Sequence, residues 1–275
     1  MKSRSSLFGG IAAIAATFVV FVVPFIFIVL MAFKDRQQSA LRDFSLPTGW
    51  HFWDNLVEVV TTRNWMLVTA FINSTIITVT SVTLIVILAA MVGFVLARRK
   101  SRWNPLIEFL ILAGLMIPPA VVPTIWLLQG LQLFGKLHGM VLIEVAYNLP
   151  FSIILYRAFI ATIPKELDEA AVIDGARPLD VFFRVILPLL WPVTVTNIVV
   201  QSVGIFNDFT NPLYYLPGNA NATVQLTLYN FQSQFNTAYN LLFTNIALIT
   251  IPPLIVFLFF NRQIVAGMTA GAVKG

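Results

Sequence analysis

Hydrophobic and polar positions alternate along this chain in long blocks. Apolar runs cover about 8–33, 70–97, 106–128, 139–160, 189–208 and 241–261, with Glu108, Glu144, Arg157 and Asp208 as their few charges, and polar segments separate them. About 20 residues at 1.5 Å rise cross a bilayer core, so each run is long enough for a transmembrane helix. The first run is too long for a signal-peptide core and no small-residue cleavage site follows it, so it reads as a retained helix, kinked at Pro24. The second carries Asn73, Ser74, Thr75, Thr78, Thr80, Ser81 and Thr83. These suit either hydrogen bonding between helices or the wall of a polar pathway. Pro118, Pro119 and Pro123 break the third run and Pro150 interrupts the fourth. Prolines at such depth are tolerated where neighbours re-satisfy the freed carbonyls, often beside a cavity. The expected organisation is one membrane domain over residues 1–275. Residues 34–63 and 209–240 read as loops on one side, and 262–275 as a small-residue tail.

Composition excludes a water-soluble domain. The 275 residues are 58% hydrophobic and 11% charged, with a mean hydropathy of +0.85, against roughly 25% charged in soluble proteins. Backbone groups in hydrocarbon must be paired internally and the runs far exceed barrel strands, so the class is all-α polytopic membrane protein with six transmembrane helices. There is no cysteine, which removes disulfide and thiol chemistry. The net charge of +5 fits basic residues held on one membrane face rather than nucleic-acid binding. Lys2, Arg4, Arg98, Arg99, Lys100, Arg102, Arg157, Lys165, Arg177, Arg184, Arg262 and Lys274 share the side of the termini. Only Lys34, Arg36, Arg42, Arg63 and Lys136 lie opposite. The basic side is cytoplasmic by the positive-inside rule, so both termini are expected in the cytoplasm.

One long segment, 162–188, is too charged for hydrocarbon. Pro164 suits the first position of a helix, and Glu166, Asp168 and Glu169 suit its positive end. Gly175 suits its termination, which predicts a helix from about Pro164 to Asp174. Pro178 then starts a second helix whose Leu179, Phe182, Phe183 and Ile186 form one apolar stripe. Such a helix–turn–helix is either a connector resting on the inner leaflet or a docking element. Leaflet-bound helices are usually basic on their polar face, whereas this one is acidic and suits a basic protein partner.

The spacing Glu169-Ala170-Ala171, three residues, Gly175, nine residues, Val185, one residue, Leu187-Pro188 resembles the EAA loop of the permease subunits of binding-protein-dependent ABC importers. Val185 stands where that family usually has Ile. Asn73-Ser74, Ala97-Arg98-Arg99, Ile117-Pro118, Ile163 to Leu167 and the tail Gly267 to Gly275 look like the carbohydrate-uptake branch, of which the maltose-type second permease is an example. Phe206-Asn207-Asp208-Phe209 sits where that branch often has Trp first. The resemblance implies a cytoplasmic coupling loop. In it Glu169 faces a basic group of an ATPase, Ala170 and Ala171 permit close docking, Gly175 allows the turn, and Asp174, Leu187 and Pro188 complete the motif. It also implies a homologous permease partner, two ATPase subunits that carry ATP-Mg, an extracytoplasmic solute-binding protein and a sugar-like solute. No G-x-x-x-x-G-K-[ST] occurs in this chain, so it binds no nucleotide itself and is a transport subunit rather than an enzyme. The rival from another class is an autonomous six-helix secondary transporter or channel.

Other chemistry is sparse. A carboxylate at bilayer centre costs at least about 2.5 kcal/mol on insertion scales, so none should face lipid there. Glu108 is expected to snorkel from the end of the third span, and Asp208 to sit at the interface. Glu144 is deeper and lies in a cavity or an interhelix pair. His51 and His138 have no ligand spacing, so no metal site is expected, and no nucleophile–base pattern appears. A sugar pathway would draw on Glu144, Asn148, Gln201, Asn207 and Asp208 with Trp126, Tyr147 and Phe206. The same residues equally suit packing between helices. The amide-rich loop 209–240 is the expected contact for the external binding protein.

Overall fold

The computed structural model describes residues 4–232 and 237–272. Lys2 and Lys274, used in the charge count, and residues 273–275 of the tail lie outside them. All regular structure among the described residues is helical. Helix α1 covers 4–33, α2 Arg36–Ala40, α3 Phe52–Arg98, α4 Asn104–Met116, α5 Val121–Gly130 and α6 Leu137–Ile160. Helix α7 is Glu166–Ile173, α8 Pro178–Leu189, α9 Trp191–Phe206, α10 Thr210–Tyr215 and α11 Tyr239–Ala272. Among the described residues, four helices are long and apolar enough to cross a membrane: α1, α3, α6 and α11. The pairs α4–α5 and α8–α9, bent by 115° and 74°, bring the number of membrane segments to six if each pair counts as one.

Several boundaries differ from the sequence expectation, each for a local reason. The irregularity in α1 is a wide π-type turn at Phe18–Val22, just before Pro24, whose missing N–H leaves a carbonyl to be re-paired. Residues 34–63 are not merely a loop, since α2 lies there and α3 already begins at Phe52. Arg63, Asn64 and Trp65 have φ between 49° and 61°, and this left-handed run breaks α3 between 62 and 65. The expected third span is α4 and α5, parted where Pro118 and Pro119 cannot donate. Helix α11 continues through the expected tail to Ala272.

The chain divides into two compact units. The first comprises the residues up to Ala70 and Val224–Ile251. Its buried polar groups close on each other. Asn55 Nδ2 donates to the carbonyls of Ala32 and Lys34, each at 2.9 Å, which satisfies orphan acceptors at the end of α1. Asn240 Nδ2 donates to Asn55 Oδ1 at 2.6 Å. Lys34 is fully buried, and its Nζ reaches Asp43 Oδ1 at 2.7 Å and Ser45 Oγ at 3.1 Å.

The second unit comprises Phe71–Thr223 and the residues from Pro252 on. One core gathers the inner faces of α3, α6, α8 and α9 around Ala89, Tyr156, Phe182 and Ile186. The other lies around Ile85, Met140, Val141 and Tyr215. Gly93 sets the approach of α3 to α6. A Cβ there would lie 3.0 Å from both Arg157 N and Tyr156 Cβ.

Two outcomes test this packing. Gly93→Leu must push α3 off α6, an overpacking cost of about 1–3 kcal/mol, while Gly204→Leu enters open space. Denaturation of the purified protein should therefore separate the two variants. The second outcome concerns Asp43. The hydrogen bond from Lys34, then that from Ser45, lowers its pKa from 3.8 to about 2. This pair therefore stabilises the folded loop above about pH 4 and is lost as pH falls through about 2. A dye on Leu46→Cys, in a chain with no other cysteine, should keep constant anisotropy down to about pH 4 and loosen only near pH 2. Asp43→Asn should loosen it at neutral pH.

Candidate functional site

The polar segment 162–188 folds as two short helices around a glycine turn. Ile163 is buried and anchors the entry. Helix α7 starts at Glu166, two residues later than Pro164 suggested, and Glu166, Asp168 and Glu169 occupy its first turn. Its end is a Schellman arrangement, with Gly175 N–H bonded to Val172 O and Ala176 N–H to Ala171 O, each at 3.0 Å. Gly175 has φ +86° and open space around a built Cβ, so backbone conformation rather than room demands glycine there. In α8, Asp180 accepts from Arg177 N–H. The expected apolar stripe divides: Phe182 and Ile186 are buried, but Leu179 and Phe183 are exposed. The π-type turn Val181–Ile186 widens the helix and turns Val181 inward in their place.

Helix α7 is almost bare. Only Asp168 and Ala171 turn towards the rest of the unit, while Glu169, Ala170, Asp174 and Gly175 are exposed. Val172 and Ile173 are also exposed, Ile173 at 86%. Apolar side chains thus stand exposed beside a carboxylate and an alanine, on an element with little packing of its own. Leu187 is half-buried and Pro188 exposed, and both border an apolar groove with Phe183 and Trp191.

Inward, Asp168 Oδ2 lies 2.6 Å from Arg98 Nε, with both side chains largely buried. The N–H does not point along that line, so the contact is an ion pair rather than a linear hydrogen bond. Arg98 Nη2 donates to Ile163 O at 3.0 Å. Glu108 does not snorkel freely, because its Oε1 pairs with Arg157 Nη2 at 2.8 Å.

The expected pathway residues meet in a buried seam between α6 and α9. Glu144, Asn148, Ser152 and Tyr156 recur every four residues and so share one face of α6. Asn148 Nδ2 donates to Glu144 Oε2 at 3.2 Å. Ser152 Oγ donates to Asn197 Oδ1 at 3.0 Å and accepts from Gln201 Nε2 at 3.1 Å. Tyr156 OH donates to Thr194 Oγ1 at 3.0 Å. Gln201 is buried and spends its amide donor on Ser152, as interhelix packing requires, whereas buried Glu144 accepts from Asn148 of its own helix and leaves Oε1 without a hydrogen-bond partner. Asp208 turns the chain into α10, its Oδ1 accepting from Thr210 and Asn211 N–H. Asn207 is exposed and apart from the seam, as is Trp126. Tyr147 OH pairs with Tyr215 OH at 3.1 Å, and Phe206 packs on Phe71. Ser152, Asn197, Thr194 and the role of Arg98 were missed from sequence. The four-residue period from Glu144 to Tyr156 was the available signal.

The family model for binding-protein-dependent transport system inner membrane component matches residues 85–270. A probable ABC transporter permease protein of Bacillus subtilis is 31% identical, covering 92% of this chain and 83% of its own length. A diacetylchitobiose uptake system permease protein of Streptomyces coelicolor is 30% identical over 93% of this chain and 85% of its own. The melibiose/raffinose/stachyose import permease protein of Bacillus subtilis is 29% identical over 92% and 91%. The crystal structure of a bacterial ABC transporter involved in import of the polysaccharide alginate matches with TM-score 0.81 at 20% identity, covering 95% of this chain and 98% of the matched chain, and shows the same fold. With the family model spanning most of its length and a relative above 30% identity along nearly all of it, this chain belongs to the binding-protein-dependent transport system inner membrane components, as a multi-pass permease subunit of an ABC importer and not an enzyme.

Proposed function

We propose that this chain is one of two permease subunits of a carbohydrate importer, carrying a sugar or related polyol by alternating access. It pairs with a homologous permease, with two cytoplasmic ATPase subunits that hold ATP-Mg, and with an extracytoplasmic solute-binding protein. The charge asymmetry of its loops supports placing both termini, α7 and α8 in the cytoplasm. The relatives named for diacetylchitobiose and for melibiose, raffinose and stachyose support the cargo class.

The observation that carries this reading is the exposed face of α7. Glu169, Ala170, Val172 and Ile173 stand free of the unit, and Gly175 in the left-handed region turns the chain back behind them. Glu169 offers a charge to a basic groove, and Ala170 allows a close backbone approach. Val172 and Ile173 offer apolar area to bury. The roles of these residues are mechanical: the ATPase closes, and α7 moves with it. The segment 209–232, with α10 and the turn Gln225–Asn230, serves on the other membrane face as part of the contact for the binding protein.

Glu169→Lys reverses the docking charge on an exposed site, so it leaves folding and membrane insertion intact. Uptake by cells carrying the variant should fall by at least about tenfold, the loss expected from 1.4 kcal/mol, with less ATPase co-purifying in detergent. Wild-type uptake at equal expression would refute the docking role. Transport by the purified chain alone, driven by an ion gradient and with no ATPase bound, would favour the autonomous transporter instead.

A further inference from the structure

The segment 162–188 is joined by the chain only to the fourth and fifth membrane segments. Side-chain contacts extend that connection. Of the α7 side chains, Asp168 is the charged one turned inward, and it meets Arg98, the last residue of α3. Arg98 also holds the loop entry through the Ile163 carbonyl, so one guanidinium grips both sides of the start of α7. Arg157, at the end of α6, is paired with Glu108 of α4.

From Phe71 to Arg98, α3 is unbroken helix. Its buried stripe runs through Ser74, Ile77, Ser81, Ile85, Ala89 and Leu96. Gly93 seats it against the backbone of α6. At the opposite end, Asn73 is buried and its Nδ2 donates to Ala222 O at 3.0 Å. Ala222 follows the exposed stretch 217–220, beyond α10. Asn73 and Arg98 are 25 positions apart, or about 38 Å along a helix. A packed helix of that length, bonded at one end to the largely exposed α7 and at the other to the buried turn that follows the exposed stretch 217–220, moves as one piece.

We propose that α3 from Phe71 to Arg98 is a strut linking the ATPase-docking helix α7 to the segment around Ala222 on the other membrane face. Arg98 and Asn73 are its two positioning residues. The proposal rests on the docking reading of α7 given above. Displacement of α7 by the ATPase is delivered through Asp168 and Arg98 to α3, and through Asn73 to the outer segment. By linkage, a binding protein seated on that segment biases the ATPase by the same route.

Hydrogen exchange of peptides from 215–224 tests this in the assembled transporter, with and without vanadate-trapped ATP-Mg. Trapping should alter exchange of this segment in the wild type. Arg98→Ala and Asn73→Ala should each shrink the change by about fivefold or more, the range of ordinary allosteric couplings. The double variant should lose no more than either single one, because both act on one line. The charge swap Arg98→Asp with Asp168→Arg, which rebuilds the ion pair but not the bond to the Ile163 carbonyl, should restore part of the response, as should Arg98→Lys, which keeps the charge but loses the planar fork. A segment indifferent to trapping in the wild type, a full response in both alanine variants, or additive losses in the double variant would each overturn the strut. So would a loss that merely tracks reduced co-purifying ATPase, since Arg98 would then serve docking alone. Wild-type uptake by Glu169→Lys is a different result, and it removes the docking reading itself.

Discussion

A chain placed in hydrocarbon has no water to satisfy its polar groups, so each one it buries must find a partner within the protein. That constraint explains most of the specific architecture here. Asn55 completes the carbonyls at the end of α1 and is itself completed by Asn240. Ser152 stands between Asn197 and Gln201 and joins α6 to α9. Lys34, fully buried, is matched by Asp43 and Ser45. Apolar packing alone would not choose one register between two greasy helices, whereas these bonds do, because a shifted register would strand several buried donors at once.

The same constraint accounts for what stands out. Helix α7 has almost no partners inside the chain, and its exposed Ile173 and Val172 are not lipid-facing positions of a long span but the end of an eight-residue polar helix. Its attachments are few and specific: Ala171 against the core, Asp168 on Arg98, and the Schellman turn at Gly175. A short helix held by so few contacts follows whatever binds its outer face. The ion pair and the Ile163 carbonyl bond then decide which membrane helix follows it first.

Much of this was legible from residue order. The six apolar runs, the acidic helix and the glycine turn follow from hydropathy, capping and the backbone freedom of glycine, all local properties. Interruptions were harder to size. Pro118 and Pro119 signalled a break, but a bend of 115° depends on what receives the freed groups, which neighbours decide. The left-handed run at Arg63, Asn64 and Trp65 carried little signal, since only Asn64 favours that region and none is glycine. Glu108 and Arg157 are far apart in sequence, so their pairing came only with the packing of α4 on α6.

Sequence alone determined that this is an all-helical membrane chain with one polar helix–turn–helix set between its apolar runs. Those traits rest on periodicity, charge and local turn chemistry, which need no distant contact. The tertiary structure decided what each polar side chain is for. It turned Glu144, Asn148 and Gln201 into members of a buried seam, left Asn207 outside it, and gave the segment 162–188 a tie to α3 through Arg98. Hydrogen bonds and ion pairs act over about 3 Å, and only the folded chain brings residues remote in sequence to that distance.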